Sequence, residues 1–210
     1  MAKAAADSTE TQRLLEQAGS GEDQAHEQLF ARHQRYLHAF VALRIDSKLR
    51  ARVDPSDVVQ DAQIEALRRL DGYLHQRPMP FRLWLRQMAL DRLLMLRRRH
   101  VEARKRALGL EVELPERSSV MFAQHLLASG TTPSQRLDRD ELAGRVRHAV
   151  ARLAEIDREI LLMRTFEGLT FEETACLLKI DPAAARKRHG RALLRLHKLL
   201  TDGGLTESQL

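Results

Sequence analysis

Cysteine is almost absent from this chain: Cys176 stands alone among 210 residues, which excludes an intramolecular disulfide and a thiolate metal cluster. Long apolar runs are missing too. None approaches the roughly 18 residues that a membrane-spanning helix requires, and the N-terminal MAKAAADSTE has no apolar core of the kind a secretory leader carries. The cytoplasm is the expected compartment. There is no glycine-rich phosphate loop, no Cys-x-x-Cys and no His pair at metal-ligand spacing, and the nine histidines are scattered. Neither catalysis, a cofactor, a metal nor a small-molecule substrate is therefore expected. No stretch alternates apolar and polar residues as a half-buried strand does, so the expected fold is all-α.

Charge is what the chain has in quantity. Charged residues make up 30% and apolar residues 43%, the balance of a soluble globular protein with a charged surface. Lys and Arg outnumber Asp and Glu by 35 to 29, for a net charge of +6. A polyanionic partner follows, nucleic acid ahead of an acidic membrane surface.

The punctuation predicts helices in two groups. Thr9-Glu10-Thr11-Gln12 reads as a capping box for a short helix ending at Gly19. A longer helix follows Ser20–Asp23 and buries Ala25, Leu29, Leu37, Phe40 and Val41 at helical spacing. Asp54-Pro55 opens a third helix. Its inward face holds Val58, Val59, Ala62, Ala66, Leu67 and Leu70, and Gly72 is expected to stop it. A fourth, after Pro78 and Pro80, carries Phe81, Trp84, Leu85, Met88, Leu93 and Leu96. Residues 107–131 lose this periodicity and read as a flexible linker, and Thr132-Pro133-Ser134-Gln135 starts a second domain. The expected division is 1–106, linker 107–131, and 132–210. Each domain is small but large enough for its own core.

Two basic constellations stand out. In the first, Thr170-x-x-Glu173 caps a short helix over Phe171–Leu178, expected to bury Thr174 or Ala175 with Leu177 and Leu178. Lys179-Ile180-Asp181 then turns into a helix beginning at Pro182. This is the outline of a helix-turn-helix, although Lys179 occupies a position where glycine is common. From Pro182 to Lys198 there are six basic residues (Arg186, Lys187, Arg188, Arg191, Arg195, Lys198) and no acidic one. A merely solvated helix face usually mixes both signs, because like charges at i,i+4 repel. The one-sided face points to DNA.

The second constellation, Arg77–Arg106, has ten basic residues against Asp91 and Glu102, with Phe81 and Trp84 at its start. Basic groups follow phosphates and aromatic faces stack on unpaired bases; the alternative is that Phe81 and Trp84 are core, and for Trp84 core is the favoured role. Between the two lies an acidic helical face of Asp54, Asp57, Gln60, Asp61 and Glu65, which repels DNA and reads as either a protein-docking face or a solvated one.

DPSDVVQDA (54–62) with PFRLWLRQMALDRLL (80–94), and FEGLTFEETACLLKIDPAAARKRHGRALLRL (166–196), resemble bacterial sigma factors of the sigma-70 family. The short chain resembles the extracytoplasmic-function (ECF) type, and its GRALLRL ending and SGTTPSQ segment look like a planctomycete subgroup. The resemblance implies a transcription initiation factor that binds core RNA polymerase and promoter DNA. By resemblance, Asp57, Gln60 and Asp61 dock on polymerase. Phe81, Trp84, Arg92 and Arg97 open and hold the −10 element, and Ala184, Arg186, Lys187, Arg188 and Arg191 enter the −35 major groove. An anti-sigma protein or a kinase is a further implied partner. Ser56 stands where the family's acidic run has Glu, so a phosphoserine would restore charge there. Asp91 replaces a frequent Asn, and Ala185 and His189 replace larger aliphatics. The rival reading is a stand-alone helix-turn-helix regulator that binds an operator without polymerase, usually as a dimer; it has no need of the basic Arg77–Arg106 helix.

Overall fold

The computed structural model describes residues 7–45, 47–105, 145–146 and 148–203. Among these residues there are helices and no strand, as the absence of alternating segments predicts. They divide into two units, residues 7–105 and 145–203. The expected linker at 107–131 and the capping box at Thr132 lie outside the described residues.

The first unit contains α1 (Thr9–Gly19), α2 (Asp23–Arg44), the single turn α3 (Ser47–Arg50), α4 (Pro55–Arg68), α5 (Leu70–Gln76) and α6 (Phe81–Lys105). The cap of α1 is Ser8 rather than Thr9: its hydroxyl accepts from Thr11 N–H at 3.3 Å, a bond that stabilises a helix start by about 1 kcal/mol. Asp54 caps α4 as expected, accepting from Ser56 N–H at 2.7 Å with Pro55 in the first turn. Gly72 does not end this helix. The chain breaks earlier, at Arg69, and Gly72 lies inside α5, which ends at Arg77 in the left-handed region (φ 39).

Helix α6 packs on α4 and α2, and five of its first six residues are buried: Phe81, Leu83, Trp84, Leu85 and Arg86. These first turns are enclosed by the neighbouring helices on more than one side, the buried Arg86 included. Its first N–H is satisfied from far along the chain, where the Asp7 carboxylate accepts from Phe81 N–H at 2.9 and 3.1 Å. Asp7 thus acts as a tertiary N-cap. Burial pushes its carboxyl above the ordinary range, against the opposing pull of the Phe81 hydrogen bond and Arg77.

The core of this unit runs through Leu15, Leu29, Leu37, Phe40, Val41, Val58, Ala62, Phe81, Leu85 and Leu93. Each fully buried large side chain of this kind contributes about 1.5–3 kcal/mol. His33 is buried with them, its ring edge-on to Phe81 at 5.5 Å and its Nε2 without a hydrogen-bond partner.

The second unit has a helical stretch at 148–152 followed by α7 (Glu155–Thr165), α8 (Phe171–Leu178) and α9 (Pro182–Asp202). Gly168, at φ +63, makes the bend between α7 and α8 that a side chain would strain. The capping box of α8 is present in full: Thr170 Oγ1 accepts from Glu173 N–H at 3.1 Å and Glu173 Oε2 accepts from Thr170 N–H at 2.8 Å. Glu173, Thr174 and Ala175 are buried, whereas Leu177 and Leu178 are only half-buried. The short α8 turns its Thr174–Ala175 side onto α9 and α7, which leaves its last turn at the rim. Lys179 adopts φ 55, the left-handed conformation that favours glycine. Asp181 caps α9 by accepting from Ala184 N–H at 2.9 Å.

Candidate nucleic-acid and polymerase interface

Helix α9 sorts its residues by period. Ala185, Ala192, Leu196 and Leu200 are buried, and they define the inward stripe. Arg186, Lys187 and Arg191 lie exposed on the other side, with Ala184 half-buried in the first turn. Three cations and a small residue at the start of a capped, accessible helix are what a major groove accepts. Arg186 also lies over the Phe171 ring at 5.1 Å, beside Arg164 at 4.2 Å, which stiffens it relative to a free surface arginine.

Arg188, expected in the groove, also faces an acidic partner within its own unit. It sits three residues from Ala185 on the inward side, 35% exposed, with Nη1 3.8 Å from Asp157 Oδ1. Arg195 donates to the other oxygen of the same carboxylate. Asp157, in the first turn of α7, is 1% exposed; two α9 arginines therefore compensate one buried charge and tie the recognition helix to α7. Nothing in the sequence marks Asp157, because an acid in a first helical turn is what the helix dipole already favours.

In the first unit, Asp57 and Gln60 are exposed on α4 and Asp61 is half-exposed beside them. Sequence reading missed the apolar part of this face: Ile64 and Leu67, one and two turns on, are 45% and 49% exposed. Leu67 was expected in the core. Asp54, Asp57, Gln60, Asp61 and Ile64 form one acidic surface with an apolar end, and such a mixture suits a protein partner better than DNA.

The aromatic residues read as base-stacking are placed otherwise. Phe81 is 0% exposed and lies among Phe30, His33, Tyr73 and Trp84, with centroids 5.4–6.0 Å away. Trp84 is buried too, 4.6 Å from the Tyr73 ring. Neither offers a face to a base here; the enclosure of the first turns of α6 by α2 and α4 is the reason. The basic stretch around them is also not a single surface. Arg86 is fully buried and shares the Phe40 ring with Arg44, at 4.7 and 4.4 Å. Arg97 donates to the Arg44 carbonyl at 3.1 Å, closing the end of α2, while Arg98 and Arg99 are exposed. Arg92 is brought to the other predicted site: its Nη2 lies 2.5 Å from Asp61 Oδ2. A residue read as touching DNA and one read as touching polymerase are thus paired with each other.

Among the described residues, no group of three or more His, Cys, Asp or Glu is placed to hold a metal, and no helix is long and apolar enough to cross a membrane. Burial pushes the half-buried Cys176 thiol above its ordinary range, with the Glu173 charge adding to it, so this cysteine is no activated nucleophile.

Fold and surface define a two-unit helical protein with a DNA-reading helix-turn-helix in its second unit. Residues 143–196 match the family model described as sigma-70, region 4. The chain is 31% identical over 188 residues to the RNA polymerase sigma factor CnrH of Cupriavidus metallidurans, covering 89% of this chain and 92% of that one. It is 26% identical over 189 residues to the RNA polymerase sigma-H factor of Pseudomonas aeruginosa, covering 90% and 93%. A solved structure of CnrH in complex with the cytosolic domain of CnrY superposes with a TM-score of 0.56 at 27% identity, over 92% of this chain and 99% of that chain. The chain belongs to the sigma-70 family of RNA polymerase sigma factors and is of the extracytoplasmic-function type.

Proposed function

We propose that the chain is a transcription initiation factor that binds core RNA polymerase, directs it to promoters through −35 and −10 elements, and assists strand opening. The observation that carries this reading is the one-sided basic face of α9 (Arg186, Lys187, Arg191), presented by a capped helix-turn-helix inside the segment that matches region 4. In this reading residues 132–210 take the −35 element and residues 1–106 take polymerase and the −10 element. Asp57, Gln60 and Asp61 meet polymerase, with Ile64 as the apolar edge. Arg92, with the exposed Arg98 and Arg99, follows the −10 phosphates. Phe81 and Trp84 support this surface from below.

Geometry allows both elements to be held at once. About 25 linker residues reach roughly 85 Å when extended, whereas a spacer of about 17 base pairs is roughly 58 Å long. The protein acts without chemistry of its own, in the cytoplasm where the polymerase works. A protein inhibitor is a further proposed partner, supported by CnrH having been solved with the cytosolic domain of CnrY. Ser56, exposed in the first turn of α4, is a proposed phosphorylation site; full activity of Ser56→Ala under every growth condition would count against it.

Run-off transcription with core polymerase on a genomic fragment library tests the main reading. New transcripts that depend on this chain and share two upstream elements support it. A footprint from the chain alone, with no transcripts, supports the stand-alone regulator instead.

A further inference from the structure

Asp61 and Arg92 come from helices α4 and α6, 31 residues apart. They join the two faces that the proposed function assigns to different partners. Asp61 stands next to the exposed Asp57 and Gln60, and Arg92 points across from the basic helix. Arg92 uses its fork incompletely. Nη2 is bonded to Asp61, Nη1 has only the Met95 sulfur at 3.9 Å, and Nε is buried with no acceptor. A guanidinium is best satisfied by two parallel bonds to one anion, and a buried donor left without a partner is costly. Turning away from Asp61 to a phosphate would satisfy both Nε and an Nη. The pair is half-exposed on each side, 28% for Arg92 and 43% for Asp61, so its opposition to that turn is modest.

We propose that the Asp61–Arg92 pair is a latch coupling polymerase docking to DNA binding. In the free chain Asp61 neutralises Arg92 and holds it against α4. When a cation of the polymerase takes Asp61, Arg92 is released to a phosphate of the opened strand. This rests on the reading of the α4 face and of Arg92 given above. Coupling of this kind is reciprocal, so strand binding at Arg92 also frees Asp61 and tightens polymerase binding.

The test uses the full chain without polymerase and a fluorescein-labelled single-stranded oligo-dT, followed by anisotropy across a salt series. Asp61→Asn opens the latch and should tighten binding roughly two- to fivefold, the range of an exposed ion pair. It should also steepen the salt dependence by about 0.7, the value for one added single-strand phosphate contact. Asp71→Asn makes the same charge change on an exposed residue of α5 and should not steepen the slope. In an Arg92→Ala background, Asp61→Asn should do no more than Asp71→Asn and should leave the slope unchanged. Trp84 fluorescence, from the single tryptophan of the chain, verifies that each variant is folded.

Equal gains and equal slopes from Asp61→Asn and Asp71→Asn, or a steepened slope that survives Arg92→Ala, would overturn the latch. The underlying reading is tested apart from it, by promoter opening in the assembled holoenzyme with Arg92→Ala. Impaired opening alongside an inert Asp61→Asn removes only the latch. Normal opening together with unchanged oligo-dT binding removes the assignment of Arg92 to DNA, and the latch with it.

Discussion

Acidifying the solution from about pH 7.5 to about pH 5 should destabilise the first unit through one residue, His33. Its ring is buried at 8% exposure against Phe81, and Nε2 has no hydrogen-bond partner. Burial, helped by the nearby Arg32 and Arg82 charges, pushes its pKa from 6.5 down to about 4. The unfolded chain takes up this proton first, so His33 costs nothing above pH 6.5 and opposes folding increasingly as the pH falls towards 4. Between those two values the linkage relation gives about 2 kcal/mol at pH 5 and about 3 kcal/mol at pH 4. For a unit of this size, about 2 kcal/mol lowers the melting temperature by roughly 8–16 °C.

Carboxyl groups titrate over the same range, and Asp7, raised by burial, gains stability on acidification. The difference between wild type and His33→Leu cancels those contributions. Leucine fills a comparable volume and removes the unpartnered Nε2, at the loss of the edge-on ring contact with Phe81, so at neutral pH the variant should lie within about 1.5 kcal/mol of wild type. Urea unfolding monitored by Trp84 fluorescence, at several pH values, measures the comparison in this unit alone. Wild type should lose about 2 kcal/mol more than the variant between pH 7.5 and pH 5. Parallel losses would refute the reasoning.

Asp57→Lys reverses an exposed charge in the first turn of α4; it should abolish association with core polymerase while leaving the helical circular dichroism intact, and an unaffected complex would remove the docking face. Asp157→Asn should destabilise the second unit by about 1–2 kcal/mol in urea unfolding, less than the 3–5 kcal/mol typical of breaking a buried pair, because Arg188 and Arg195 reach water. Arg191→Ala should weaken −35 binding by about 1–3 kcal/mol without affecting polymerase binding. Arg188→Ala should cost DNA affinity less and stability of the second unit more; the opposite order in fluorescence anisotropy would put Arg188 in the groove after all.

Local features of this protein were legible in the chain. Asp54-Pro55, Thr170-x-x-Glu173 and Asp181-Pro182 form helix starts through bonds that span two or three residues, so neighbours in sequence suffice to specify them. The inward stripe of α2 and the outward cations of α9 follow from helical periodicity alone. Gly72 misled for the same local reason: its weak helix propensity is overridden once Leu70 and Tyr73 on either side are buried.

Only the tertiary structure decided which side chains are buried on all sides and which charges meet. Phe81 and Trp84 carry the composition of a stacking platform, yet the packing of α2 and α4 over α6 makes them core. Asp7 caps α6 across 74 residues, Asp61 meets Arg92 across 31 and Asp157 meets Arg195 across 38. Helical period places a residue on a face, but it cannot say which face of another helix lies opposite. Burial and ion pairing depend on that second helix, and so became readable only when the chain was folded.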